Sequence, residues 1–197
     1  MIKPSTVWKA QKVALSCVYY MWAHKYKPRT IFNVGMSMAF EVEIWNWQFP
    51  GVPVIAIDPG AKRRAVEHPL LNYIQACASD HIGTLQFCNS CRSTRCRKQC
   101  LPEKFVEVQA IAIDDISSNW DPPYFIWMDT DGGELAAMQG AKKTLEKTEW
   151  LNIEIMEWLP GDKVTIDTWL SSNGYTMFYA HHRSQDRLYR KTVGSKI

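Results

Sequence analysis

Short apolar runs recur along this chain, each followed by turn residues and then by a stretch with helical spacing. Residues 30–35 (TIFNVG), 54–58 (VIAID), 124–128 (YFIWM) and 151–156 (LNIEIM) have this form. Each is too short for a helix that must bury itself, and each is apolar on both faces of an extended chain. That pattern predicts strands of a mostly parallel sheet covered by helices on both sides. Helical patterns at 38–48, 61–71, 163–171 and from Glu134 onward supply the cover. Residues 72–77 and 105–113 are further strand candidates, and the tail from Tyr175 to Arg190 has hairpin character around Ser184-Gln185-Asp186. The expected class is α/β, with an antiparallel hairpin closing one edge of the sheet.

The chain has 197 residues, enough for one domain with an elaboration. Its net charge of +3 is too small to argue for nucleic acid, which usually needs a concentrated basic face. The apolar run at 13–23 is interrupted by Ser16 and is shorter than the ~20 residues that span a bilayer, so no transmembrane segment is expected. It reads as an amphipathic helix within residues 1–27, capped by Ser5 or Thr6, with Val7, Ala10, Ala14, Cys17 and Met21 near one face. Packing on the sheet edge or over a ligand pocket is expected of it, in preference to membrane contact. Six cysteines without a secretory signal point to a reducing, cytoplasmic setting.

In parallel sheets ligands bind outside the carboxyl ends of the strands, so the residues just after each strand matter most. The first strand leads into Asn33-Val34-Gly35-Met36-Ser37, where Gly35 permits a tight turn and a close backbone approach. The second ends in Asp58, placed to accept hydrogen bonds from ribose hydroxyls. Only one glycine of a dinucleotide fingerprint is present, so a nucleoside ligand without phosphates fits better than NAD. Ser79 and Asp80, with Gly83 beyond, follow the third run and could reach an adenine edge. The fourth run ends in Asp129-Thr130-Asp131-Gly132-Gly133-Glu134. Asp129 is the foremost candidate for the reacting end. Glu134 is a candidate too, although an acid in a first helical turn is also favoured by the helix dipole.

The segment FIWMDTDGGELAAMQGA, 125–141, resembles the FkbM-type methyltransferase family. IFNVGMSMAF, VIAIDP, ACASDHIGTLQF, the Asp114-Asp115 pair, LNIEIM and Asn173-Gly174-Tyr175 are similar to further family segments in the same order. The resemblance covers about residues 28–190 and implies a Rossmann-like class I methyltransferase domain over 28–197. A seven-strand sheet, S-adenosylmethionine as cofactor, and an oxygen acceptor on a carbohydrate or small metabolite are implied with it. The cofactor residues it points to are Asn33, Gly35, Ser37, Asp58, Ser79, Asp80 and Asp129. The first motif departs from the family, with Asn33 where Asp is usual, Met36-Ser37 where Ala-Asn is, and Ala39 where a later Gly is; Trp127 stands where a Lys is common. They leave a non-catalytic cofactor binder as an alternative.

Three features fall outside that scheme. Asp121-Pro122-Pro123-Tyr124 matches the loop with which DNA amino-methyltransferases hold a flipped base, but here it precedes an apolar run instead of following one. Cys88, Cys91, Cys96 and Cys100 lie within 13 residues, in an apparent insertion at about 88–104. They could close around a structural zinc; disulfides, free thiols and an iron–sulfur cluster are the alternatives. With Arg92, Arg95, Arg97 and Lys98, that loop could also cover an anionic acceptor, or the module could serve interaction alone. The histidines His24, His68, His81, His181 and His182 include a candidate base, His181 being the favoured one after a late strand pattern.

Overall fold

The computed structural model describes residues 4–35, 40–60, 69–90, 93–94, 101–156, 162–181 and 185–192. Five strands run parallel: β1 (Thr30–Val34), β2 (Val54–Ile57), β3 (Leu71–Ile74), β7 (Tyr124–Met128) and β8 (Thr148–Glu154). The terminal hairpin, β9 (Tyr175–Ala180) with β10 (Asp186–Lys191), extends the sheet, and β10 pairs antiparallel with β8. The resulting seven-stranded order is β3-β2-β1-β7-β8-β10-β9. Sequential strands spread to one side from β1 and then resume on its other side at β7. A crevice opens at such a switch point, outside the carboxyl ends of the strands. The architecture is the Rossmann-like one expected, antiparallel hairpin included.

Alternation along the strands divides the core in two. Ile31, Val54, Phe125, Trp127 and Trp150 face helices α1 (Pro4–Ala23) and α2 (Phe40–Gln48), meeting Ala14, Met21 and Trp45. Their neighbours Phe32, Ile55, Ile126 and Leu151 face the opposite layer. That layer is built from α4 (Glu134–Gln139), α5 (Lys142–Glu146) and α6 (Asp162–Ser172). β1, β2 and β7 are buried throughout, which is why apolar residues fall on both faces of each strand and not on alternate positions alone. In α1, Ala14, Cys17 and Met21 lie on the buried face, as their spacing predicts.

A second sheet was not legible from the sequence. The strand candidate at 72–77 is two strands: β3 ends at Ile74, and β4 (Cys77–Ala78) belongs to a three-stranded sheet β4-β6-β5. β5 (Gly83–Cys88) pairs antiparallel with β6 (Phe105–Ile111), so the cysteine-rich segment lies in sequence between the two strands of a long hairpin. β5 is exposed at three of its six residues, and its short apolar content at Leu85, Phe87 and Cys88 gives a weak signal. β6 stops at Ile111, and α3 (Ile113–Ser117) begins where an extended chain was expected. The helical candidate at 61–71 lies outside the described residues up to position 68, and the part of the 38–48 candidate before Phe40 does too.

The long helical pattern after Glu134 is broken into α4 and α5 at Gly140. A Cβ on Gly140 would stand 1.8 Å from the Ser79 carbonyl oxygen, so the helix junction can meet the end of β4 only without a side chain. The Gly140 carbonyl accepts from the Asp114 N–H at 2.9 Å, while Asp114 caps α5 through Thr144 and Lys143 N–H groups. Gly140→Ala is therefore expected to destabilise the fold by about 1–3 kcal/mol, read from urea unfolding midpoints, because backbone rather than a flexible side chain must move.

Candidate active site

At the switch point the exits of β1 and β7 nearly touch. Gly35 has φ of 83°, and its N–H donates to the Ile57 carbonyl at 2.8 Å. The Asp129 N–H donates to the Val34 carbonyl at 2.8 Å. A Cβ on Gly35 would lie 1.6 Å from the Asp129 carbonyl oxygen, so only glycine fits on both conformational and steric grounds. A cleft of about 750 Å³, open to solvent, lies above this contact.

One wall of the cleft is polar at Asp58 and apolar beyond it. Asp58 is buried at the end of β2, where its Oδ1 accepts from the Gly60 N–H at 2.7 Å and its carbonyl from the Tyr73 hydroxyl. Ile57, Ala76, Cys77, Ala78 and Phe87 continue the wall. Burial and then the nearby Asp58 charge push the Cys77 thiol up to about 12, so it remains neutral in the cleft. The β5–β6 hairpin closes over this side. Thr94 lines the cleft, and the buried Ser93 hydroxyl donates to the Asp131 carbonyl.

The opposite wall is acidic. Asp129, Asp131 and Glu154 bring carboxylate oxygens within 4.8 Å of one another, at the ends of β7 and β8. Asp129 and Glu154 are hydrogen-bonded side chain to side chain. Burial, and then the adjoining Glu154, hold the Asp129 carboxyl far above its ordinary range. Glu154 is pushed up to about 7, chiefly by burial; the hydrogen bond from Asp129 opposes the rise, and Asp186, Asp131 and Glu134 add to it. The pair therefore shares one proton, with Asp129 as donor and Glu154 as acceptor.

The other expected site residues occupy different positions. Glu134 is buried, and its Oε1 accepts from the Thr130 N–H, the Thr130 hydroxyl and the Gly132 N–H, at 3.0, 2.9 and 3.1 Å. It clamps the acidic turn and does not line the cleft. Ser79 is buried beside β4, its hydroxyl donating to Asp80 at 3.1 Å, and the exposed Asp80 pairs with His81 at 2.6 Å. Neither faces the cleft; the preceding residues Ala76–Ala78 do. Asn33 points into the α1–α2 layer, accepting from the Trp45 indole N–H at 3.5 Å. His181 sits at the β9–β10 turn, away from the cleft lining, with its N–H donating to the Asp186 carbonyl at 3.1 Å.

Of the proposed zinc ligands, Cys88 is buried at the end of β5, while Cys91, Cys96 and Cys100 lie outside the described residues, as do Ser37, His68 and His182. The Asp121–Tyr124 loop enters β7 at its amino end, opposite the cleft. Asp121 pairs with Arg29 at 3.0 Å, and the Tyr124 hydroxyl lies within hydrogen-bond distance of the Ser117 and Trp120 carbonyls, at 3.1 and 2.9 Å. Glu154 is the residue that reading the sequence missed. The rule that selected Asp129, a carboxylate closing an apolar strand, applies equally to LNIEIM.

The raised Glu154 value carries a stability consequence. A carboxyl whose folded value lies above its unfolded one costs stability when ionised, so stability falls as pH rises from about 4.5 to about 7. Glu154→Gln removes that cost, and urea unfolding is expected to show it more stable than wild type at pH 8 by on the order of 2 kcal/mol, with little difference at pH 4.

No curated protein matches the chain significantly. Among solved structures, it is similar to the 1,6-didemethyltoxoflavin-N1-methyltransferase of Burkholderia thailandensis, crystallised with 1,6-didemethyltoxoflavin and S-adenosylhomocysteine. Identity is 12% over 94% of this chain and 81% of that one, with a TM-score of 0.46. The family profile described as "Methyltransferase FkbM domain" matches residues 49–177, from the end of α2 into β9 and across Asp58, Asp129 and Glu154. The chain belongs to the FkbM family of S-adenosylmethionine-dependent methyltransferases.

Proposed function

We propose that the protein transfers a methyl group to a hydroxyl of a carbohydrate or another small polar metabolite. The observation that carries this reading is the Asp129–Glu154 carboxyl pair on the acidic wall of the cleft, across from Asp58. The donor set suits S-adenosylmethionine: a carboxylate for ribose hydroxyls, an apolar wall for a flat base, and a close-packed glycine turn where a Cβ would intrude. When bound, that cofactor supplies a methyl group on a cationic sulfonium.

The chain's own residues then have distinct tasks. Asp58 accepts the ribose hydroxyls. Ile57, Ala78 and Phe87 pack against the base, while Ser79 and Asp80 hold the turn beside it. The Gly35 backbone borders the amino-acid end of the cofactor. Asp131 and the single charge of the Asp129–Glu154 pair offset the cofactor's positive charge. Glu154 accepts the proton of the acceptor hydroxyl as the methyl–oxygen bond forms, and it releases that proton to water afterwards. A carboxylate titrating near neutrality suits this role. Glu134 is a positioning residue that sets the direction of Asp129 and Asp131. His181 has no part in this scheme. The position of the Asp121–Tyr124 loop at the far end of β7 from the cleft favours a small acceptor over a nucleic-acid base.

Calorimetric titration with S-adenosylmethionine and S-adenosylhomocysteine tests the cofactor site: Asp58→Ala is expected to weaken both by about 10- to 100-fold. Failure of well-folded wild type to bind either would overturn the reading. Release of S-adenosylhomocysteine across a panel of sugars tests the acceptor class. With a sugar that turns over, kcat/KM is expected to rise with pH through about 7. Glu154→Gln should flatten that limb and cost about 100-fold or more while cofactor affinity persists. A limb that disappears in EDTA and returns with Mg²⁺ would put a cation, not a proton, between the carboxyls.

A further inference from the structure

The amino-terminal helix has a second face that the methyltransferase reading leaves without a task. Val13, Ala14, Cys17, Val18 and Met21 bury one side of α1 against the sheet. On the other side Lys12, Leu15, Tyr19 and Trp22 follow one another at spacings of three and four residues, all exposed, which puts them on one stripe. Tyr19 is 67% exposed and Trp22 56%. The apolar surface continues past the stripe: Tyr19 and Phe178 of edge strand β9 both stack edge-on to Tyr20, at 5.4 and 5.2 Å. On its other flank, Trp22 shares a groove with Lys25 and Lys27.

Charge singles out the occupant. Six of the chain's 23 basic residues and none of its 20 acidic ones fall in the first 40 positions, which therefore carry +6 while the remainder carries −3. A second copy of this mildly basic chain would gain little from that concentration. An anionic bilayer gains from both components: lysines meet headgroup phosphates, and amphipathic Tyr and Trp rings settle at the interface. No helix among the described residues is long and apolar enough to cross a membrane, so contact would be along the surface.

We propose that the exposed face of α1, with Lys25 and Lys27 beside it, docks the protein onto an anionic lipid surface. The contact lies against the α1 layer, so the cleft at the carboxyl ends of the strands remains open while the protein is docked.

The test is co-sedimentation of the full chain with phosphatidylcholine vesicles, with and without phosphatidylserine at about a third of the lipid. Binding is expected only with phosphatidylserine, and high salt should release it. Each of Lys12→Ala, Lys25→Ala and Lys27→Ala should lower the partition coefficient about fivefold at low salt. Tyr19→Ser with Trp22→Ser should also lower it, and cofactor affinity, measured by calorimetry, should be unchanged in every variant because all these side chains are exposed. Absence of binding to the phosphatidylserine vesicles, or binding indifferent to these substitutions, would overturn the proposal. So would a concentration-dependent dimer in sedimentation that Trp22→Ser dissolves, since that would assign the face to a second copy.

Discussion

The contact between Gly35 and the backbone of Asp129 is what the rest of the site depends on. β1 and β7 are neighbours in the sheet, and at their carboxyl ends the chain must leave in different directions, one toward α2 and one toward α4. With no side chain on Gly35, the two exits can pack backbone to backbone, and a positive φ turns the first of them away. That close approach brings the acidic turn into the same cleft as Asp58. A larger residue would push the turn that carries Asp129 out of position, and the cleft would lose the geometry on which alignment of reacting groups depends.

Two other constraints keep that turn in place. Glu134 reaches back from the first turn of α4 to three donors in the loop preceding it. Ser93, from the tip of the β5–β6 hairpin, bonds the Asp131 carbonyl from the other side. The cysteine-rich elaboration is thus tied directly to the acidic wall. Changes in that hairpin, some distance away in sequence, have a physical route to the acidic side of the cleft. Burial of Asp129 and Glu154 in the same corner makes two ionised carboxyls costly, and the shared proton is the consequence.

The departures from the family pattern at Asn33 and Trp127 have a common structural explanation. Asn33 and Trp127 are register partners on β1 and β7, and both face the α1–α2 layer rather than the cleft. Trp127 packs against Trp45, whose indole also bonds Asn33. A neutral amide and an indole replace charged groups in a layer that, in this chain, is filled with aromatic side chains. The substitutions therefore suit the packing beneath the sheet and leave the carboxylates of the cleft intact.

Periodicity alone determined a good part of this protein. Strands apolar on both faces require cover on both sides, so the parallel sheet, its terminal hairpin and the strand-end positions of Gly35, Asp58 and Asp129 were legible in the sequence. The same holds for the buried stripe of α1. Only the tertiary structure decided which polar residues meet. Ser79, Asp80 and Glu134 have the right chemistry and the right position in sequence, yet their side chains turn to local hydrogen-bond partners, and no linear pattern encodes that choice. Glu154 joins Asp129 because β8 lies beside β7, a pairing between residues 25 positions apart. The half-exposed β5 strand was hidden for a related reason. Its stability comes from pairing with β6 rather than from its own apolar content, and strand pairing is a property of the folded chain.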